Sequence, residues 1–192
     1  VLFPQHEKQE IRHVSPNLIA LAARDEDWRL AYLHAGTLAL PDGSMLLRFV
    51  RDSRRKVLLV QLLAERPEWY RGVLVTIGGV SDPVVTDDAG EADLGPMPGF
   101  DAGATQATVH LPLEVFRSTA GTETADTWMA AGKGVLRVEQ TALGRRWRLD
   151  DAAGNFAAFR AGDRYIVRAL RDGIVFLTEA DCAGISEIRF YD

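Results

Sequence analysis

A single cysteine, Cys182, occurs in the 192 residues, so no intrachain disulfide framework can form. That usage fits a reducing compartment, and a cytoplasmic location is the expectation. No apolar run approaches the roughly 20 residues that a membrane-spanning helix needs. Lysine is confined to Lys8, Lys56 and Lys133, and net charge is -5, so broad nucleic-acid or anionic-membrane binding by the whole surface is disfavoured. The four histidines, His6, His13, His34 and His110, include no closely spaced pair of the kind that forms a helical metal site. The nucleophile elbow G-x-S-x-G, the P-loop and the dinucleotide fingerprint are missing too. Val1–Gln5 carries neither the basic region nor the cleavage site of a secretory signal, and the chain reads as a piece of something longer.

What is present is a soluble-protein balance, with 47% hydrophobic and 26% charged residues. Arginine far outweighs lysine and Ala, Gly, Asp and Val are common, the composition of a GC-rich bacterial coding sequence. Val1–His13 has no period and is read as extended or disordered. Ser15-Pro16 has the form of a helix start, and Leu18, Ile19, Ala22 and Ala23 form a stripe at helical spacing. One or two short helices are predicted over Ser15–Ala35, and residues 1–36 are taken as an N-terminal extended and helical segment.

From Thr37 the period changes to two. Thr37–Leu40 and Met45–Arg51 flank Pro41-Asp42-Gly43-Ser44, a hairpin signal. In Lys56–Ala64, Val57, Leu59, Gln61 and Leu63 face one way and Leu58, Val60 and Leu62 the other. Such a strand is central and covered on both sides. Trp69–Ile77, Pro83–Thr86, Glu91–Leu94 and Thr105–Leu111 are the further strands. Residues 37–117 are read as an antiparallel β-sandwich, mainly β and transthyretin- or Ig-like in class. Residues 118–127, STAGTETADT, are small and polar and read as a linker. Within it Ser118, Thr119, Gly121, Thr122 and Thr124 are candidates for regulatory proteolysis that would release the C-terminal β unit. The strand pattern then restarts over 128–192 as that second, small β domain, with strands Gly134–Gln140, Arg145–Asp150, Phe156–Phe159, Asp163–Leu170, Gly173–Glu179 and Glu187–Tyr191.

The segments VLLVQLLAERPEWYRGVLVTIGG, PVVTDDAGEADLGPMPG and TQATVHLP give residues 45–112 a resemblance to the carboxypeptidase regulatory-like family, a transthyretin-like sandwich. Thr86, Asp87 and Gly90 match that family's turn, Glu91–Leu94 its short strand, Pro96–Gly99 its break and Thr105–Leu111 its last strand. Ala92 and Leu94 stand where the family often has an aromatic residue. The layout of Ser15–Gly36 before Met45–Leu111 also resembles small bacterial proteins that accompany extracytoplasmic-function sigma factors. The resemblances imply a non-catalytic appendage that binds a protein partner, such as a sigma factor, a protease or another signalling protein, in bacterial signalling or defence.

The chemistry-bearing residues are weighed against structural roles. Asp87, Asp88, Glu91 and Asp93 can supply oxygens to Ca²⁺, but their spacing departs from the regular calcium loop and Asp87-Asp88 suits a turn. Cys182 can act as a nucleophile only with a base to lower its pKa, and no histidine is near it in sequence. Arg145, Arg146, Trp147, Arg148, Arg164 and Arg168 form a candidate interaction face. Interspersed Asp150, Asp151, Asp163 and Asp172 offer ion-pair partners across strands; an acidic protein surface or single-stranded nucleic acid are the functional alternatives. The expectation is no catalytic residue, no metal and no cofactor. The alternatives are a small enzyme with a site near Cys182, assembled from Cys182, His110 or the carboxylates, and a carbohydrate- or surface-binding accessory domain.

Overall fold

The computed structural model describes residues 9–13, 32–40, 42–118, 128–130, 135–150 and 154–192, the segments 9–13 and 128–130 as backbone only. The chain divides into two compact units, Val1–His110 and Leu111–Asp192. Every strand pairing described in either unit is antiparallel, so the protein is mainly β.

The first unit contains β1 (Gln9–His13), β2 (Tyr32–Ala39), β3 (Met45–Asp52), β4 (Val57–Ala64), β5 (Leu74–Ile77), β6 (Val84–Val85), β7 (Glu91–Asp93) and β8 (Ala107–His110). Their order is β6-β5-β8-β1-β2-β3-β4-β7. β1 joins two halves: Gln9–Ile11 pair with β8, and Arg12 and His13 pair with Ala39 and Leu38 of β2. The terminal strands β6 and β7 are consecutive in sequence, linked by a turn in which Asp87 N donates to Glu91 O at 2.8 Å. Leu47, Phe49, Leu58, Val60, Leu62, Val73, Leu74 and Val75 are all buried, each 1% exposed or less. The central strand β4 behaves as its sequence requires, with Leu58 to Leu62 buried on both of its faces.

Loop residues complete this core. Phe100 packs on Phe49 with ring centroids 4.7 Å apart, and Arg51 reaches the carbonyls of Met97 and Phe100. The register shifts between His34 and Gly36, and Gly36 has φ +146°. A Cβ at Gly36 would lie 2.2 Å from that of Ala102, so only glycine lets the loop seat there.

The second unit is built from β9 (Glu114–Ser118), β10 (Trp128–Ala130), β11 (Val135–Thr141), β12 (Gly144–Asp150), β13 (Phe156–Ala161), β14 (Arg164–Ala169), β15 (Ile174–Thr178) and β16 (Ile185–Tyr191). One sheet has the order β10-β9-β16-β13-β14 and the other β11-β12-β15. Phe116, Phe159, Ile188 and Phe190 from the first sheet meet Trp147, Leu149, Val175 and Leu177 from the second in one core. The rings of Trp147 and Phe159 lie 5.6 Å apart across it, and those of Phe116 and Phe190 5.8 Å apart in T-shaped contact.

Four expectations change. Residues 9–13 form strand β1 at the centre of the first sheet, because backbone pairing needs no hydrophobic period. Tyr32–Ala35, assigned to a helix, open β2 and pair with β3; residues 14–31 lie outside the described residues. Trp69 to Val73 are not strand: Pro67–Trp69 make a 3-10 turn and Gly72 has φ +59°, which leaves only Leu74–Ile77 extended. The boundary between units falls at residues 110 and 111 instead of at the polar linker, because β9 lies between β10 and β16 in the second unit's sheet.

Candidate functional site

Period-two alternation on β12 decides what the arginine-rich segment can do. Trp147 and Leu149 point into the core, with Trp147 0% exposed, whereas Arg146 and Arg148 point outward. Cross-strand register then sets two rows on the outer face of β11–β12–β15. Arg137, Arg148 and Ile174 make one; Glu139, Arg146 and Phe176 make the next. Arg137 and Arg148 are direct neighbours, a like-charge pairing that is unfavourable by itself. Asp150 resolves it: its carboxylate accepts from Arg137 Nε at 2.5 Å and lies 3.3 Å from Arg148 Nε. Arg146 pairs with Glu139 at 3.2 Å. The guanidiniums stay 52–69% exposed, so each pair contributes about 0.2–1 kcal/mol.

Apolar groups accompany this charge. Val135, Leu143 and Phe176 are 56%, 77% and 44% exposed; the other large apolar side chains exposed among the described residues are Leu33 and Leu63. Three of five therefore belong to one small sheet or its hairpin tip.

The six candidate face residues do not share a surface. Trp147 is a core residue and is withdrawn from the face. Arg145 sits on its side of the strand, half-buried, and donates from Nε to Gln140 Oε1 at 3.0 Å. Arg164 and Arg168 belong to β14 in the other sheet, and Arg168 pairs with Asp181 at 3.4 Å. Only Arg146 and Arg148 remain together, joined by Arg137, which the sequence reading missed. Its signal was the Val-x-Arg-x-Glu alternation of β11, which places Arg137 opposite Arg148 once the hairpin closes at Ala142-Leu143.

The acidic group of the first unit is occupied by structural contacts. Asp87 Oδ1 accepts from the backbone of Ala89 at 2.8 Å and of Glu91 at 2.9 Å, which makes it a turn former. Asp93 pairs with Arg55 at 2.5 Å, and Glu91 accepts from Gln61 at 2.5 Å. Among the described residues no group of three or more His, Cys, Asp or Glu is arranged to hold a metal ion. His34 bonds Thr37 Oγ1 at 3.0 Å and His110 bonds Thr76 Oγ1 at 3.2 Å. Cys182 lies buried in the helical turn Glu179–Cys182, and burial pushes its thiol above the usual range despite the nearby Arg145. Of the linker, Ser118 ends β9; Thr119, Gly121, Thr122 and Thr124 lie outside the described residues.

Two polar clusters escaped sequence reading. Thr37, Arg48, Gln61 and Glu91 are register partners across β2, β3, β4 and β7. Both Arg48 Nε and Nη2 donate to Gln61 Oε1, and Gln61 passes the chain on to Glu91. Burial lowers the Arg48 pKa, an effect that Glu91 opposes. In the second unit Glu187 and Arg189, 8% and 10% exposed, bond at 2.6 Å. Glu187 also takes Arg117 at 3.0 Å and the Tyr165 hydroxyl at 3.4 Å. Burial alone would raise the Glu187 carboxyl, but Arg189 and Arg117 hold it below the ordinary glutamate value. Beside it, burial drives the Tyr191 hydroxyl well above the tyrosine range. These groups satisfy one another and lie on strands, an arrangement suited to fixing register.

Among the described residues no helix is long and apolar enough to cross a membrane. Comparison with known proteins finds no matching family, no similar curated protein and no similar solved structure.

Proposed function

We propose that this protein is a non-catalytic recognition module that binds a protein partner through the outer face of β11–β12–β15. The carrying observation is the gathering of exposed Phe176 and Val135 around Arg137, Arg146 and Arg148 on one sheet. Arginines and aromatics are the residue types enriched at interfaces and at their energetic centres. Strand pairing fixes the backbone spacing of these residues, so no backbone order has to be gained on binding. The first unit serves as a scaffold, and its transthyretin-like character is part of this proposal, supported by the turn, break and strand segments of residues 45–112. Placement in bacterial signalling or defence beside a sigma factor rests on the layout resemblance.

Proteolytic release of a C-terminal piece is not included. A cut within 119–127 would leave β9 on one fragment and its sheet neighbours β10 and β16 on the other.

Affinity capture from the native cell tests the proposal by comparing the intact protein with a Phe176→Ser/Arg146→Glu variant. A specific protein retained by the former and lost by the latter supports the reading. Identical captured sets would refute it.

A further inference from the structure

Arg137 and Arg148 share one carboxylate through Nε alone. Among the described residues Asp150 is the only ion-pair partner of either, and both remain at least 60% exposed. Each guanidinium carries four further N–H donors on its two terminal nitrogens, in a fork that matches a second carboxylate. Among the described residues the like-charge neighbours are only partly neutralised: the face holds three guanidiniums against the two carboxylates Glu139 and Asp150. A partner carboxylate placed between Arg137 and Arg148 would complete that neutralisation.

The apolar component lies one row along. Residues 146 and 148 of β12 are two apart, about 7 Å along the strand, and Phe176 stands opposite Arg146. An extended peptide presents same-side side chains at that same spacing of about 7 Å. An acidic residue over Arg148 therefore brings the residue two positions away over Arg146, from where a large apolar side chain reaches Phe176, one strand spacing of about 4.8 Å to the side.

Resting on the recognition reading above, we propose that the partner offers an extended acidic segment, one carboxylate bridging Arg137 and Arg148 and the apolar side chain two residues on lying over Arg146 and packing sideways on Phe176. A nucleic acid is a poorer occupant. Its regularly spaced phosphates would meet Glu139 and Asp150 as well as the arginines, on a chain whose net charge is -5.

The probe is a fluorescein-labelled peptide of three Glu-Ser-Phe repeats, titrated with the full chain and followed by fluorescence anisotropy. Comparators are the same peptide with lysine for glutamate and a single strand of twenty thymidines. The expected result is saturable binding of the Glu peptide that weakens with added salt and falls at least about tenfold in the Arg137→Gln/Arg148→Gln variant. Phe176→Ser should weaken it as well, and Arg164→Gln should not. Unchanged circular dichroism and thermal midpoint show that each variant is folded. No binding of the Glu peptide, equal binding of the lysine peptide, tighter binding of the thymidine strand, or retention after Arg137→Gln/Arg148→Gln would each overturn the proposal. Should affinity capture yield a partner that depends on Phe176 but not on Arg137 and Arg148, the face remains a docking surface and its acidic specificity is refuted. If no captured protein depends on the face, the recognition reading itself is refuted.

Discussion

Glu187 and Arg189 occupy alternate positions on β16, on the face opposite Ile188 and Phe190, and both side chains are buried. Removing one member of a buried pair strands the other, which costs about 3 kcal/mol. Glu187→Ala should therefore lower the unfolding free energy of the second unit, read from urea titration, by that amount, and Glu187→Ala/Arg189→Met should lower it by less than the sum of the single changes. The depressed carboxyl sets the sign of the pH effect. Its stabilisation is complete above the ordinary glutamate value of 4.5 and is lost as pH falls through the lower folded value. A melting series from pH 7 to pH 3 should show that acid-side loss shrink in Glu187→Gln; an unaltered acid profile would contradict the assignment. In the first unit, Gly90 has φ +82° and a Cβ there would stand 2.6 Å from Leu62 O. Gly90→Ala should cost about 2 kcal/mol, read as a lower thermal midpoint. At Cys182, burial and the raised thiol predict negligible reaction with a thiol reagent in the native state and full reaction in denaturant.

Strands β12 and β15 show at the element scale how one alternation separates folding from recognition. Trp147 and Val175 are paired on the inward side; Arg146 and Phe176 are paired on the outward side. Trp147→Ala should remove about 3–5 kcal/mol and unfold the second unit first, whereas Phe176→Ser should stay within about 0.5 kcal/mol. A comparable loss in both variants would mean that Phe176 is not a surface residue. Strands of this kind were legible beforehand because period two and turn residues are local signals: β3, β4, β11, β12, β13 and β15 lie within a few residues of their predicted spans. The face of the arginine segment was less so. Reading Arg145 to Arg148 as one group ignored the alternation that buries Trp147, and Arg137 could be added only once the β11–β12 register was known. Tyr32–Ala35 misled for a related reason: four residues with a bulge at Ala35 carry too little period to choose between helix and strand.

Over the whole molecule, the division at residues 110 and 111 has a mechanical consequence. β9 precedes the polar segment 119–127 yet pairs with β16 near the C-terminus, Phe116 opposite Ile188. A protease cut in that segment should leave both fragments together in native size-exclusion chromatography, and denaturant should separate them. Separation without denaturant would show that the β9–β16 pairing is too weak to hold the unit. Composition could not locate this boundary, because a small polar stretch looks the same inside a domain as between two. The recognition surface is a property of the same scale, since it depends on where exposed apolar groups concentrate. Placing a photo-cross-linking amino acid in turn at positions 33, 63, 143 and 176 of the full-length protein in its native cell compares the exposed apolar sites directly. The account predicts one discrete protein adduct at 176, competed by the Glu-Ser-Phe peptide and weaker or absent at 33 and 63. Adducts at 33 or 63 with none at 176 would contradict it.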